Sequence, residues 1–352
     1  MSLKRLTIIV PTYNRQKFIF RQIEFWSKLP VNLLILDGSK EPCKNIKGKL
    51  SKKIIYYHAP ISIEQRLKNS LDFISTDYVA MISDDEFFLH STLKTCVQFL
   101  DINPDFSTCK GQSIGFHWDN NKVLGRLVYQ GLKGYIVKNN KSNDRIKEHL
   151  FNYQMATLWS VQRKKVFESC IKVISNYSTI SSAAAIELGI SIVSAYMGKI
   201  KVVDDLMWLR SYENKNIWWS SGRIRIPEWW KDKTKKKEHK LFINSIIYNL
   251  TDNVGEKLNE MDIRKAMDIY CSAKKEKITK FSYLLKYLMK IIKKYDKINI
   301  IKYLFYFFHH IRIKLFEKRC KPLNTLISNT HSEKKEEIDE IIKLISKFHN
   351  SK

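Results

Sequence analysis

The sequence predicts an α/β fold: a mostly parallel sheet with helices on both faces, followed by a helical C-terminal region. Three observations carry this. Strand-like and helix-like blocks alternate through the first hundred residues, the pattern of parallel strands joined by crossover helices. The strand blocks are continuous apolar runs, as in strands buried on both faces. From Pro227 onward strand patterns stop, and periodic Leu, Ile, Phe and Tyr positions are interleaved with lysine. The change of composition falls near 222–234 and divides the 352 residues into a first unit, 1–225, and a basic helical unit, 226–352. Such a length suits about two domains of ~150 residues.

The elements follow in order. Leu6 to Val10 is a β-branched strand stopped by Pro11, and residues 16–29 read as a helix ended by Pro30. Residues 32–36 form a second buried strand, closed by the turn Asp37-Gly38-Ser39. Residues 54–58 make a third, short strand. Leu67, Leu71 and Ile74 stand at helical spacing in the amphipathic stretch 63–74, and residues 78–82 form a fourth strand that ends abruptly in Ser83-Asp84-Asp85-Glu86. The middle of the chain, 108–221, is mixed, with turns at Asp119-Asn120-Asn121 and over 138–144. In open α/β sheets ligands sit outside the carboxyl ends of the strands. Three of those ends are polar here: Thr12-Tyr13-Asn14-Arg15, Asp37, and Asp84-Asp85-Glu86.

Composition narrows the function. Hydrophobic residues at 44% and aromatics at 12% exclude wholesale disorder. Lys+Arg at 62 against Asp+Glu at 35 gives a formal +27, which implies a polyanionic neighbour: nucleic acid, an anionic membrane or a phosphate-rich substrate. Six scattered cysteines without a CxxC fit reduced thiols and a cytoplasmic protein. The uncharged run near 303–311 is too short to span a membrane, so membrane contact is expected to be peripheral at most.

No GxGxxG and no GxxxxGK[ST] follows the first strand; Pro11-Thr12-Tyr13-Asn14-Arg15 stands there instead. With Asp37 after strand two and Asp84-Asp85-Glu86 after strand four, residues 5–215 resemble glycosyltransferases of the GT-A class, family 2 type. The resemblance implies a GT-A, Rossmann-like sheet, with nucleotide-sugar binding in 1–110 and the acceptor side in 111–225. It also implies transfer from a nucleoside diphosphate sugar to a glycan or lipid-linked acceptor, as in polysaccharide biosynthesis.

Carboxylates beside a diphosphate repel it unless a divalent cation lies between them. On the family pattern Asp85 would hold Mg²⁺ or Mn²⁺ and Asp84 would contact the ribose or a metal-bound water. Ser83 stands where the family often has its first acidic residue. Tyr13 would stack on the nucleobase, with Thr12 and Asn14 offering hydrogen bonds and Asp37 accepting from an imino N–H, a uracil- or thymine-like feature. Pro11 and Arg15 complete that segment. Arg66, one turn from Asn69 on the helix before strand four, would approach the nucleotide; a solvated charge on an amphipathic helix is the alternative.

Inverting transfer also needs a base for the acceptor hydroxyl. Residues 181–188, with Gly198 to Val203 and Leu209 to Tyr212 beyond, match the family's acidic residue, helix and following strand, which makes Glu187 the base. Ile186 stands where an acidic pair would have its other member. The alternative is a helix-capping carboxylate. Asp204-Asp205 is a rival pair. Core packing accounts for most of Trp218, Trp219, Trp229 and Trp230, with an acceptor-side wall including Arg223 and Arg225 as the alternative.

Residues 281–321 hold 11 Lys+Arg and 2 acidic residues, with Lys286, Lys290, Lys293 and Lys297 on one helical face. This suits either an anionic membrane surface or a packed helical subdomain. Ile338, Ile341, Ile342 and Ile345 line one side of a later helix, a possible oligomer contact. A nucleotidyl- or phosphotransferase on a related sheet is the neighbouring alternative. A basic nucleic-acid-binding protein rests on net charge alone, with no motif behind it, and no nucleic-acid partner is expected.

Overall fold

The structure, a computed structural model, describes residues 3–213, 224–250, 257–276, 320–327 and 332–351. Its strands are β1 (Leu6–Thr12), β2 (Asn32–Asp37), β3 (Ile54–His58), β4 (Tyr78–Met81), β5 (Phe87–Phe88), β6 (Phe106–Asp119), β7 (Lys122–Val128), β8 (Ile136–Val137), β9 (Val161–Arg163), β10 (Lys199–Ser211) and β11 (Lys321–Pro322). All belong to one sheet, ordered β11-β7-β6-β9-β4-β1-β2-β3, with β10 paired to β5, β6 and β8. The helices are α1 (Lys17–Trp26), α2 (Ile63–Ser70), α3 (His90–Ile102), α4 (Ser142–Phe151), α5 (Lys164–Ile174), α6 (Ala184–Met197), α7 (Ile226–Lys231), α8 (Lys236–Leu250), α9 (Glu260–Glu276) and α10 (Ser332–Asn350).

The expected α/β fold is present, with helices on both faces of the sheet. Its parallel part is β4, β1, β2 and β3, joined in the register Met81↔Ile9↔Leu34↔Ile55. Beyond β4 the sheet is mixed. β9 runs antiparallel to both β4 and β6. β6 folds back on β7 through Asn120 and Asn121, whose φ values of 46° and 59° are left-handed. Two such residues between strands make the hairpin turn that matches strand twist, and asparagine tolerates the conformation.

Several element ends differ by a few residues from the sequence reading, those of β1 and α1 among them. β1 does not stop at Pro11 but runs to Thr12. Its pairing with β4 has ended at Ile9, so on that side Pro11 meets no ladder that would need its missing N–H. The helix expected over 16–29 spans Lys17–Trp26, with turns filling the rest.

Side chains alternate across a strand, so each parallel strand feeds two cores. Ile9, Leu34, Leu36, Val79 and Met81 belong to one core, which α2, α4, α5, α6 and the described helices between 226 and 276 cover. Ile8, Val10, Leu33, Ile35, Ala80 and Ile82 belong to the other, covered by α1, α3 and α10.

The isoleucine stripe of α10 is therefore not an exposed oligomer contact. Ile338, Ile341 and Ile345 are buried in the second core. Ion pairs Lys334–Asp205, His90–Glu337 and Lys347–Glu24 frame it. The basic face within 281–319, Trp218, Trp219 and Arg223 lie outside the described residues. Among the described residues, no helix is long and apolar enough to cross a membrane.

Because Ile341 is wholly buried, Ile341→Ala should lower unfolding free energy by about 2–5 kcal/mol, read from the urea midpoint. An unchanged midpoint would show that α10 is not part of the cooperative fold.

Candidate active site

The carboxyl ends of β1, β2 and β4 meet on one rim. Gly38 N–H donates to the Thr12 carbonyl at 3.0 Å, Asn14 N–H donates to Ser39 Oγ at 2.9 Å, and Thr12 Oγ1 donates to Asp84 Oδ2 at 2.5 Å. Asn14 takes the left-handed conformation, φ 55°. This turns the chain out of the sheet and leaves Tyr13 60% exposed, its ring open to a stacking partner.

The acidic residues join the same rim through Thr12 and Arg15. Asp84 and Asp85 are 1% and 6% exposed. Two adjacent buried carboxylates demand compensation. Arg15 supplies it: its guanidinium pairs with Asp84, with Nε 3.2 Å from Oδ2, and lies 3.1 Å from Asp85 Oδ1. The third acidic residue of the run does not join them. Glu86 turns inward and accepts from Trp208 Nε1 at 2.8 Å. Burial and the neighbouring Asp85 raise its pKa, with Arg210, Trp208 and Lys110 acting the other way.

Asp37, expected to accept from a base N–H, is held in a network of its own. It is fully buried and already accepts from Ser39 N–H (2.8 Å), Tyr56 Oη (2.7 Å) and Gln16 Nε2 (2.8 Å). Burial pushes its pKa up, but these bonds outweigh it and the net shift is downward. Such a carboxylate braces the loop beside the rim.

Arg66 is not a solvated charge either. At 4% exposure it donates through Nη1 to the carbonyls of Thr12 (2.8 Å) and Leu36 (2.5 Å), tying β1 to β2. A Cβ on Gly38 would lie 2.4 Å from Arg66 Cζ, which explains the glycine. Pro11 pairs with Leu36 inside the sheet and is positioned as framework.

Glu187 stands at the first turn of α6, half-buried, and accepts from the Tyr153 hydroxyl. Burial raises its pKa, offset by Tyr153, Lys274 and Lys110. Lys110, fully buried on β6, stands between the two acidic groups electrostatically, since the charges of both Glu86 and Glu187 act on it. Its ammonium donates to the Met155 carbonyl at 3.0 Å and lies 4.2 Å from the Trp208 ring centroid, and desolvation lowers its pKa to about 7.

The rival carboxylates are engaged elsewhere, Asp204 with Gln112 and Asp205 with Lys334. Trp229 is core, edge-on to His239 at 4.7 Å. Arg225 pairs with Glu228 at the surface.

Among the described residues, no three His, Cys, Asp or Glu side chains form a group that could hold a metal ion. The donor set at the rim is two carboxylates. That fits a hard divalent cation which takes its remaining oxygen ligands from a bound phosphate and water, as Mg²⁺ commonly does.

Reading the sequence missed Arg21, Gln22, Lys110 and Tyr153. The signal for the first two was polar residues inside the buried stripe of α1, among Phe18, Ile19, Ile23 and Trp26. A lysine in the middle of a buried strand was the signal for Lys110.

No protein-family model matches the chain. No curated protein matches it either. Among solved structures it is similar to S. aureus TarS 1-349 in complex with UDP-GlcNAc, at 13% identity and TM-score 0.49, over 76% of this chain and 72% of that one. It is also similar to S. aureus TarS 1-349 in complex with UDP, at 13% identity and TM-score 0.42, over 77% and 90% of the two chains.

Thr12→Val keeps shape but removes a donor from the buried Asp84 carboxylate. It should cost about 1.5–3 kcal/mol of stability by chemical denaturation. A loss below ~0.5 kcal/mol would mean that Arg15 alone satisfies Asp84.

Proposed function

We propose that this chain is a glycosyltransferase that moves a sugar from a UDP- or TDP-like nucleoside diphosphate donor to a glycan or lipid-linked acceptor. One observation carries the reading: a buried Asp84–Asp85 pair, neutralised by Arg15 and capped by Thr12, lies at the carboxyl ends of parallel strands on the same rim as the exposed Tyr13. A site for an anionic, flat-ringed ligand needs such a combination: a stacking face, fixed polar groups and a place where negative charge is compensated.

In this reading the base stacks on Tyr13, with Thr12 and Asn14 at its edge, while Asp37 and Arg66 hold the strand ends that form its floor. Asp84 faces the ribose. Asp85, whose contacts to Arg15 are the longer ones, would hold Mn²⁺ or Mg²⁺. When bound, that cation would act as a Lewis acid toward the departing diphosphate. Arg15 offsets charge on the same side.

Glu187 would take the proton of the acceptor hydroxyl as its oxygen attacks the anomeric carbon. The bond to the diphosphate breaks on the opposite face, so configuration inverts. Its raised pKa makes its carboxylate a stronger base than that of an ordinary glutamate. The lysine-rich stretch 281–321 suits an anionic membrane as the place where a lipid-linked acceptor is met.

Asp85→Ala should weaken UDP binding in the presence of Mn²⁺ by at least about tenfold in calorimetry while the far-ultraviolet spectrum stays that of the parent. If the parent protein binds no nucleoside diphosphate, with or without Mn²⁺, the proposal falls. Glu187→Gln should lower turnover by roughly 10²–10⁴-fold with donor affinity preserved. In the parent, turnover should be lost as pH falls through a pKa above the ordinary glutamate value, since only the carboxylate accepts a proton. Turnover unchanged by Glu187→Gln would remove Glu187 from the mechanism and favour phosphoryl or nucleotidyl transfer.

A further inference from the structure

The turn that carries the two aspartates is held by α1 through its backbone. Gln22 Nε2 donates to the carbonyls of Asp84 (3.0 Å) and Glu86 (2.8 Å), and Arg21 Nη2 donates to the carbonyl between them, that of Asp85 (2.9 Å). Three successive carbonyls thus have side-chain donors from adjacent residues of one helix. Both donors are buried, Arg21 at 2% and Gln22 at 0% exposure. Gln22 is fixed in turn by Trp26 Nε1, which donates to its Oε1 at 2.8 Å.

Arg21 is fixed from further away. Its guanidinium pairs with Glu213 in a fork, Nη1 to Oε1 at 3.1 Å and Nη2 to Oε2 at 2.9 Å, with both side chains 1% exposed. Glu213 Oε1 also meets His349 Nε2 of α10 at 2.5 Å, and that imidazole stacks on Trp118 at 5.0 Å and 8°. Phe348 of α10 lies 4.8 Å from Phe18, and the Arg21 guanidinium is 4.7 Å from each ring centroid.

Both terminal nitrogens of this buried guanidinium are bonded, although its Nε has no hydrogen-bond partner among the described residues, and a fork to a carboxylate fixes its orientation as well as its charge. Without Glu213 and the two rings, Arg21 has no reason to keep one nitrogen on the Asp85 carbonyl. Burial alone would push the Glu213 carboxyl up; the bond from His349 and the charge of Arg21 more than offset it.

We propose that Arg21 is a positioning residue for the Asp84-Asp85-Glu86 turn, and that α10 sets the geometry of that turn by orienting Arg21 through His349, Phe348 and Glu213. The link from α10 to the donor rim is short: imidazole, carboxylate, guanidinium, carbonyl. Its relevance to catalysis rests on the donor-site reading above, but the mechanical link does not. α10 is thus part of the donor site's framework, although it contributes no group to the ligand.

The test is hydrogen–deuterium exchange of the full chain without nucleotide, for Arg21→Lys, Glu213→Gln and His349→Ala, with Ile338→Val as a control that loosens the same helix elsewhere. Arg21→Lys retains charge but not the fork. Exchange in the peptide spanning 83–88 should rise about tenfold or more in Arg21→Lys and Glu213→Gln, and less in His349→Ala. It should stay at the parent rate in Ile338→Val. No rise at 83–88, or a rise equally large in the control, would overturn the proposal. UDP affinity of the same variants should fall in the same order. If the parent binds no UDP but the exchange pattern appears, the donor reading fails and the positioning role stands.

Discussion

Burying two neighbouring carboxylates is the constraint around which this molecule is arranged. Moved out of water, each costs several kcal/mol unless opposite charge and hydrogen bonds replace the lost hydration. Asp84 and Asp85 lie at the end of a strand that is buried on both faces, so they cannot relax into solvent. Arg15 therefore has to reach them and Thr12 has to donate to Asp84, Thr12 from the end of β1 and Arg15 from the turn that follows. The left-handed Asn14 stands between an exposed tyrosine and the arginine that pairs with the aspartates. The exposed ring and the buried charge are two results of one backbone turn.

A second layer of the same constraint is the backbone beneath the aspartates. Arg21 and Gln22 provide donors to its carbonyls. Gln22 needs nothing beyond α1 to keep its place, because Trp26 lies one turn on. Arg21 carries a full charge, which α1 cannot balance, and so it draws in Glu213 from beyond β10 and His349 from α10. Compensation of one charge by the next is how a helix distant in sequence comes to bear on the rim. It also explains why α10 packs where it does: its isoleucines supply burial, while Lys334, Glu337 and His349 fix its register against α3, β10 and the segment after it.

How much of this was legible in the sequence depends on how local the signal was. The first four strands were readable because uninterrupted runs such as Leu6 to Val10 or 32–36 leave few alternatives. The acidic end of β4 was readable because such a run stops on charge. β5, β8, β9 and β11 are two or three residues long, and no periodicity exists over so few positions. They form because longer neighbours present free edges. β9 in particular takes its antiparallel place between β4 and β6, and turns a parallel sheet into a mixed one.

The order of apolar and polar residues by itself determined the first four strands, which helix faces were buried, and that carboxylates would gather where β4 ends. Tertiary structure alone decided the partners: Arg15 over the aspartates, Asp37 enclosed by Tyr56 and Gln16, Arg66 between two strand ends, and the α10 stripe turned inward rather than toward a second chain. The physical reason is that burial of a face leaves a periodic trace within a dozen residues. The group that answers a buried charge can come from anywhere in the chain, and it is fixed only when the layers close.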